Sequence, residues 1–379
     1  MRYPKFLQAG GTIGFPAPSY GANIEPYRTA FGHALETFQA IGFSTVVGPN
    51  AYAGDGIGIS TAPKKCAVEL TDMYCSADND ALISIGGGEL MCETLANVDF
   101  DAIRAAEPKW FQGFSDNTNF TFTLATLADT AAVYGPCAGS FGMEPWHPCL
   151  EDSLGVLNGS LARAGADGVT HLITHGYSHF EVEGKKDAEH PLAPYNCTQL
   201  SLKRVFSGGE MRLGDGAAYM EGRRPRSRFA RSGCLGDGAA YMEGRLLGGC
   251  MDILAMLVGT RFDNVAAFNE RYREDGVIWF LESCDLNPMA IRRALWQMLN
   301  AGWFETAKGF LIGRPLCGDE PFLGLSATEA ARGILEPLGV PIVMDADIGH
   351  IPPSMPVVCG SYAHVTCVGN DVSIEHIFK

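Results

Sequence analysis

The sequence lacks the features that mark a membrane protein, a nucleic-acid-binding protein or a disulfide-stabilised protein. No apolar run reaches the roughly 18 residues of a membrane span, and no signal-peptide apolar core follows the N-terminus. The 28 Lys and Arg are outnumbered by 43 Asp and Glu, giving a net charge of −15. This charge argues against nucleic acid as a main partner, because binding of the phosphate backbone needs a basic face. The twelve cysteines include no C-x-x-C pair, which indicates reduced, mostly buried thiols. We therefore expect a cytoplasmic protein with no membrane or nucleic-acid partner, acting on a small molecule or peptide.

Strand-like and helix-like segments alternate through the first part of the chain. The strand-like segments lie at 11–18, 43–47, 81–85 and 110–114, and the helix-like segments at 27–41, 66–76, 100–106 and 121–128. This alternation predicts an α/β fold built from βαβ units on a parallel sheet. Ligands bind such sheets at the carboxyl ends of the strands.

The length of 379 residues suggests two domains. We predict an N-terminal α/β domain over 1–165 that carries the nucleophile, a polar connector over 166–245 and a second domain over 246–379. Within the connector, the eleven residues 213–223 recur identically as 235–245. Two copies do not make a repeat array, so we interpret the repeat as a recent tandem duplication or a sequence-assembly artefact.

The stretch from Trp110 to Thr118 is the strongest functional signal. An apolar run ends in Gly-Phe-Ser-Asp and a helix-like segment follows, which is how a serine nucleophile is placed on a sharp strand-to-helix turn. Gly113 leaves room for that turn, although Asn117 replaces the second glycine of a complete G-x-S-x-G motif. Ser115 is therefore the candidate nucleophile, and the alternative is a helix N-cap.

A serine needs a base and an acid that orients the base. His350 is the candidate base, because a glycine and two prolines surround it in a loop after a short strand; the alternative is an exposed loop histidine. Glu282 is the candidate acid, because it is the first polar residue after a buried strand, where a carboxylate is costly unless paired. The alternative interpretation of Glu282 is a helix N-cap or a solvated loop acid. The order Ser–Glu–His is compatible with triad geometry, and we expect the site at the domain interface.

A tetrahedral oxyanion needs two convergent donors. The backbone N–H of Asp116 is one candidate, and Gly88 of the Gly86-Gly87-Gly88 loop is the other. Gly87 and Trp146 are candidate substrate contacts, with packing as the alternative for Trp146. The glycine loop does not fit a dinucleotide fingerprint, because Met91 occupies its sixth position.

Three histidines, His171, His175 and His179, are spaced by four residues. That spacing would place them on one face of a helix as metal ligands, but Gly176 and the nearby β-branched residues favour a strand. We predict no metal and no cofactor.

Together these motifs resemble the LD-carboxypeptidase family of serine peptidases, which includes the microcin C self-immunity peptidases. Matching segments run in order along nearly the whole chain, apart from the duplicated insert: 17–19, 85–88, 113–118, 134–136, 244–249, 280–282 and 348–350. The resemblance implies a Ser115–Glu282–His350 triad without metal or organic cofactor. It also implies a flavodoxin-like N-terminal domain, a C-terminal swivelling β/α domain and a homodimer. Many relatives have Gly-Gly-Tyr-Gly at the glycine loop, whereas Glu89 follows Gly88 here.

The resemblance leaves two substrate classes open. LD-carboxypeptidases remove the terminal D-alanine from murein tetrapeptides during cytoplasmic recycling by cutting an L,D-amide bond. The self-immunity branch cleaves the bond between an aspartyl group and an adenylate. An esterase and a non-catalytic ligand-binding protein on the same scaffold are further alternatives.

Overall fold

The computed structural model describes residues 1–207, 210–213, 232–235, 239–317 and 320–379. Its strands are β1 (Thr12–Phe15), β2 (Ser44–Val47), β3 (Ala81–Ile83), β4 (Trp110–Gly113), β5 (Ala132–Tyr134), β6 (Ala162–Ala164), β7 (Thr170–His175), β8 (His179–Glu181), β9 (Cys197–Leu200), β10 (Arg204–Ser207), β11 (Glu210–Leu213), β12 (Ser232–Leu235), β13 (Ala239–Cys250), β14 (Val277–Glu282), β15 (Ala307–Gly313), β16 (Ile342–Ala346), β17 (Val357–Cys359), β18 (Tyr362–Val368) and β19 (Asp371–Ile377). Its α-helices are α1 (Tyr27–Ala40), α2 (Pro63–Cys75), α3 (Met91–Leu95), α4 (Phe100–Ala105), α5 (Thr118–Leu127), α6 (Pro148–Asn158), α7 (Met251–Leu257), α8 (Val265–Arg271), α9 (Pro288–Asn300) and α10 (Ala327–Leu335). Within these ranges, no helix combines the length and the apolar character needed to cross a bilayer.

The chain divides into two units. The first comprises 1–162, 181–196 and 356–360, and the second comprises 163–180, 197–355 and 361–379. Much of the stretch that the sequence analysis treats as a connector therefore belongs to the second unit, where β7 pairs with β19. Residues 214–223 of the first repeat copy lie outside the described residues, whereas 239–245 of the second copy form part of β13.

The first unit is a parallel sheet with helices, as the alternating sequence predicts. Its strand order is β2-β1-β3-β4-β5, the doubly wound order of flavodoxin-like folds, and all four pairings are parallel. The strand β17 returns from the C-terminal part of the chain and pairs antiparallel with β5. The central strands β3, β4 and β5 are fully buried, which explains why their residues are apolar apart from Gln112 in β4.

Packing of helices α2, α3 and α5 on this sheet forms one hydrophobic core. Leu70 and Tyr74 of α2 meet Phe111 of β4 and Phe120 of α5, and the Phe111 and Phe120 rings lie 4.8 Å apart in an edge-to-face arrangement. This core holds the strand before Ser115 and the helix after it in fixed positions.

The second unit is built on a mixed sheet whose centre is parallel. β13, β14, β15 and β16 are adjacent and parallel, and antiparallel strands flank them on both sides. The carboxyl ends of four neighbouring strands therefore meet at one edge of the sheet. Cys250 and Glu282 end two of these strands, and His350 lies in the loop after β16.

Candidate active site

Ser115 follows β4 at the turn into α5. Its φ angle is 61°, in the left-handed region that non-glycine residues rarely adopt. A short 3₁₀ turn (Ser115–Asn117) leads directly into α5, and the Ser115 N–H donates to the Tyr134 hydroxyl at 3.1 Å. A strained serine between a buried strand and a helix is typical of a nucleophile elbow.

The glycine loop after β3 runs beside this turn. The Asn117 amide donates to the Gly86 carbonyl at 2.8 Å. A Cβ on Gly87 would lie 3.3 Å from Ser115 Oγ, whereas a Cβ on Gly88 would meet Ser19 Oγ at 2.1 Å. Gly87 is therefore the glycine beside the serine, and Gly88 faces Ser19. The choice of Gly88 as the second oxyanion donor and of Gly87 as a substrate contact stays a prediction.

The Asp116 side chain joins three segments of the first unit. Its carboxylate accepts hydrogen bonds from Ser19 Oγ at 2.5 Å, from the Met91 N–H at 2.9 Å and from the Asn119 amide at 2.9 Å. Burial raises the pKa of Asp116 to about 6, although the hydrogen bonds from Ser19 and Met91 lower it. The backbone N–H of Asp116 is the predicted first oxyanion donor. The hydrogen bonds that its side chain accepts would therefore also hold this N–H in position.

Asp116 makes a testable contribution to the pH dependence of folding stability. Its pKa is about 6 in the folded state and about 4 in the unfolded chain, so the folded state holds the proton more tightly. Its contribution to stability is therefore fully present below about pH 4 and is lost as the pH rises through about 6, by on the order of 3 kcal/mol.

We expect Asp116→Asn to remove this pH-dependent contribution to stability. Urea denaturation of wild type and variant at pH 4.5 and pH 7.5 measures it, because all other titrations are common to both proteins. The destabilisation of wild type between the two pH values should exceed that of the variant. Equal pH dependence in the two proteins would contradict this account of Asp116.

Trp146, the other predicted substrate contact, packs within the first unit. Its ring contacts Phe38 at 6.0 Å and Phe141 at 5.4 Å between centroids, and its indole N–H donates to the Phe141 carbonyl at 2.8 Å. The half-buried ring thus has a packing role, and its contact with substrate stays a prediction.

In the second unit, His350 and Glu282 form a hydrogen-bonded pair. His350 Nδ1 lies 2.8 Å from Glu282 Oε2, the Glu282 side chain is fully buried, and the His350 side chain is 12% exposed. These are the two residues that the sequence analysis assigns as base and orienting acid. A carboxylate on Nδ1 fixes the tautomer that leaves Nε2 free of its proton and able to accept one.

Close backbone approach makes room for the buried Glu282 carboxylate. A Cβ on Gly313, at the end of β15, would lie 2.8 Å from Glu282 Cβ, and a Cβ on Gly349 would lie 2.5 Å from Glu282 Oε2. Gly349 also has a φ of 109°, which favours glycine. The glycine before His350 therefore lets the loop pass over Glu282 closely enough for the hydrogen bond.

The charge on Glu282 controls the protonation of His350. Burial lowers the pKa of His350, but the Glu282 carboxylate and a hydrogen bond with Cys284 raise it by more, so the pKa lies above its usual value of 6.5. The pair therefore stabilises the imidazolium that forms when the histidine accepts a proton.

A buried ionic network anchors the loop that carries His350. Asp347 is fully buried and accepts from Lys203 Nζ at 2.9 Å, from Arg314 at 2.7 Å and from the Tyr177 N–H at 2.8 Å. These partners come from three separate segments of the second unit. Sequence reasoning missed this network, since the pairing of distant charges leaves no local pattern.

Sequence reasoning also missed two residues beside the His350–Glu282 pair. Cys250 pairs with Glu282 in the parallel register of β13 and β14. The Cys250 thiol donates to Asp252 Oδ2 at 3.3 Å, and Asp252 accepts the N–H groups of Cys284 and Asp285 at 3.0 and 2.9 Å. Asp252 therefore fixes the loop that follows Glu282. The sequence signal that could have identified these two residues is the Gly248-Gly249-Cys250 stretch ahead of an apolar helix.

The three histidines with four-residue spacing lie on strands. His171 and His175 belong to β7, and His179 begins β8. His171 Nδ1 lies 3.0 Å from Glu375 on the neighbouring strand β19, so this histidine has a cross-strand hydrogen-bond partner.

Comparisons with known proteins cover both units. The LD-carboxypeptidase N-terminal domain model matches residues 13–135, and the LD-carboxypeptidase C-terminal domain model matches residues 243–365. A predicted carboxypeptidase of Streptomyces coelicolor is 25% identical over 311 residues, which are 77% of each chain.

Two solved structures show the same fold. The microcin C7 self-immunity protein MccF, in complex with aspartyl sulfamoyl adenosine, is 20% identical with a TM-score of 0.71 and 98% coverage of both chains. The muramoyltetrapeptide carboxypeptidase of Oxalobacter formigenes is 16% identical with a TM-score of 0.62, covering 96% of this chain and 98% of its own. Given the two domain models that match its two halves, the chain belongs to the LD-carboxypeptidase family of serine peptidases.

Proposed function

We infer that this peptidase uses Ser115, Glu282 and His350 as a triad to cleave the L,D-amide bond to a terminal D-amino acid of a murein peptide. The observation that carries the inference is the His350–Glu282 pair, with a 2.8 Å hydrogen bond and a fully buried carboxylate. The left-handed backbone at Ser115 supports the nucleophile, because such strain persists where function requires it.

In this reaction Ser115 Oγ forms a bond to the carbonyl carbon while neutral His350 accepts the hydroxyl proton. The oxyanion would be held by the Asp116 N–H and a donor of the glycine loop. Collapse of this intermediate breaks the C–N bond, and His350 returns its proton to the leaving amine of the D-amino acid. Water then attacks the acyl-enzyme by the same route and regenerates the serine.

The second candidate is hydrolysis of an aminoacyl-adenylate analogue. It is favoured by the similarity over 98% of both chains to MccF in complex with aspartyl sulfamoyl adenosine. The chemistry at Ser115 would be the same, and the leaving group would be the sulfamoyl nucleoside instead of a D-amino acid.

One assay separates these functions. Purified protein is incubated in parallel with a murein tetrapeptide and with aspartyl sulfamoyl adenosine, and products are followed by mass spectrometry. Release of D-alanine supports the first function, and release of aspartate supports the second. Binding of either compound without turnover by folded protein would instead favour a non-catalytic ligand-binding role.

A further inference from the structure

The Cys250 thiol lies beside the proposed base and acid but has no step in the proposed hydrolysis. One donor atom from each of Cys250, Glu282 and His350 lies within 4.8 Å of the other two. These side chains come from the ends of β13 and β14 and from the loop after β16. The parallel register fixes the first two, and the Asp347 network fixes the third.

The donor set has a definite chemical preference. One sulfur, one imidazole nitrogen and one carboxylate oxygen suit Zn²⁺, whereas Mg²⁺ and Ca²⁺ take oxygen ligands. In tetrahedral zinc sites the metal lies about 2.0–2.3 Å from each donor, so the donors stand about 3.5 Å apart. The present separations, none of them above 4.8 Å, exceed that spacing by at most about 1.3 Å.

Asp252 organises the surroundings of Cys250. Cys284 is half-buried and lies two residues after Glu282. The backbone of its loop is held by Asp252, which also accepts from the Cys250 thiol. Asp252 therefore ties the Cys250 thiol to the loop that follows Glu282.

We propose that Cys250, Glu282 and His350 form an inhibitory Zn²⁺ site, with a water molecule as the fourth ligand. Binding converts the Cys250 thiol to a thiolate, and the released proton goes to solvent. A histidine bound to zinc cannot accept the Ser115 proton, and a ligated Glu282 cannot orient it. This inhibitory consequence rests on the proposed function, whereas the metal binding does not.

Cobalt titration tests the binding directly. Chelator-treated protein is titrated with Co²⁺, and thiolate-to-cobalt charge transfer is followed in the near ultraviolet. We expect a band that saturates at one equivalent and is displaced by one equivalent of Zn²⁺. Folded wild-type protein that shows no thiolate band would overturn the proposal.

Two variants locate the ligand. Cys250→Ser should abolish the thiolate band and weaken Zn²⁺ binding by at least about tenfold, since even the loss of a group that supports a ligand costs about that much. Cys75→Ser, which removes an exposed thiol of the first unit, should match wild type. Should Cys250→Ser fail to fold by circular dichroism, Cys250→Ala replaces it. A Cys250 variant with wild-type affinity and spectrum would refute the site.

Zinc inhibition is then measured against each protein's own uninhibited rate. Half-inhibition of wild type should occur at the Zn²⁺ concentration that half-saturates binding, and a chelator should restore the rate. Zinc that binds at this site and leaves hydrolysis unchanged would overturn the inhibitory role. A protein that binds cobalt through Cys250 but hydrolyses no substrate would instead count against the proposed function alone.

Discussion

Ser115→Ala is expected to lower the hydrolysis rate by about a million-fold, because removal of a triad serine leaves only binding and oxyanion stabilisation. The strand before Ser115 and the helix after it are held by the core of the first unit, so the variant should remain folded. Turnover of the better of the two substrates, measured with excess enzyme, gives the rate.

Ser44→Ala is the matched control. It removes an exposed hydroxyl from β2 in the same unit and should keep the wild-type rate. Turnover by Ser115→Ala within tenfold of wild type would exclude Ser115 as the nucleophile and with it the proposed triad.

Glu282→Gln is expected to reduce kcat/KM by about 10⁴-fold, the effect seen when an amide replaces a triad carboxylate. The amide preserves shape in a fully buried position but removes the charge that holds the imidazole and stabilises its protonated form. The control is Glu375→Gln, which removes a carboxylate paired with His171 and His364 in the same unit and should leave kcat/KM unchanged.

The pH profile distinguishes this catalytic role from a merely structural one. In the proposed mechanism neutral His350 is the active form, so activity should rise as the pH passes through its pKa, and Glu282 raises that pKa. The acid limb of kcat/KM in wild type should therefore lie above pH 6.5. In Glu282→Gln the limb should move to lower pH. A slower variant with an unmoved limb would show that Glu282 does not act on the base.

Local patterns predicted the first half of the fold well. The helix predicted at 27–41 is α1 (Tyr27–Ala40), and the strand predicted at 110–114 is β4 (Trp110–Gly113). The predicted helix at 121–128 begins earlier, at Thr118, because the 3₁₀ turn at Ser115 runs into it without a break. Buried strands and amphipathic helices produce clear patterns of apolar residues in the sequence, which explains this agreement.

The second half depends on contacts between distant residues. The polar stretch over 166–245 is predicted as a connector, yet β7 within it joins the sheet through β19. The half-exposed β7 has no continuous apolar run that would have predicted a buried strand. The pairing of β17 with β5 in the first unit likewise depends on tertiary contacts between distant residues.

The candidate site shows the same limit. Glu282 could be predicted to need a partner, because a carboxylate after a buried strand is costly alone. Its hydrogen bond with His350 satisfies that need. The position of Cys250 opposite Glu282 could not be predicted, because it depends on the register between β13 and β14. A one-residue change of register would turn the thiol to the other face of the sheet.

The central claim is that Ser115 is a nucleophile activated by His350 and Glu282, and covalent labelling tests it most directly. The protein is treated with a fluorophosphonate, digested and mapped by mass spectrometry, with Glu282→Gln in parallel. We predict one adduct on Ser115 of wild type, formed much more slowly in the variant. An adduct on another residue, or equal labelling rates in the two proteins, would contradict the claim.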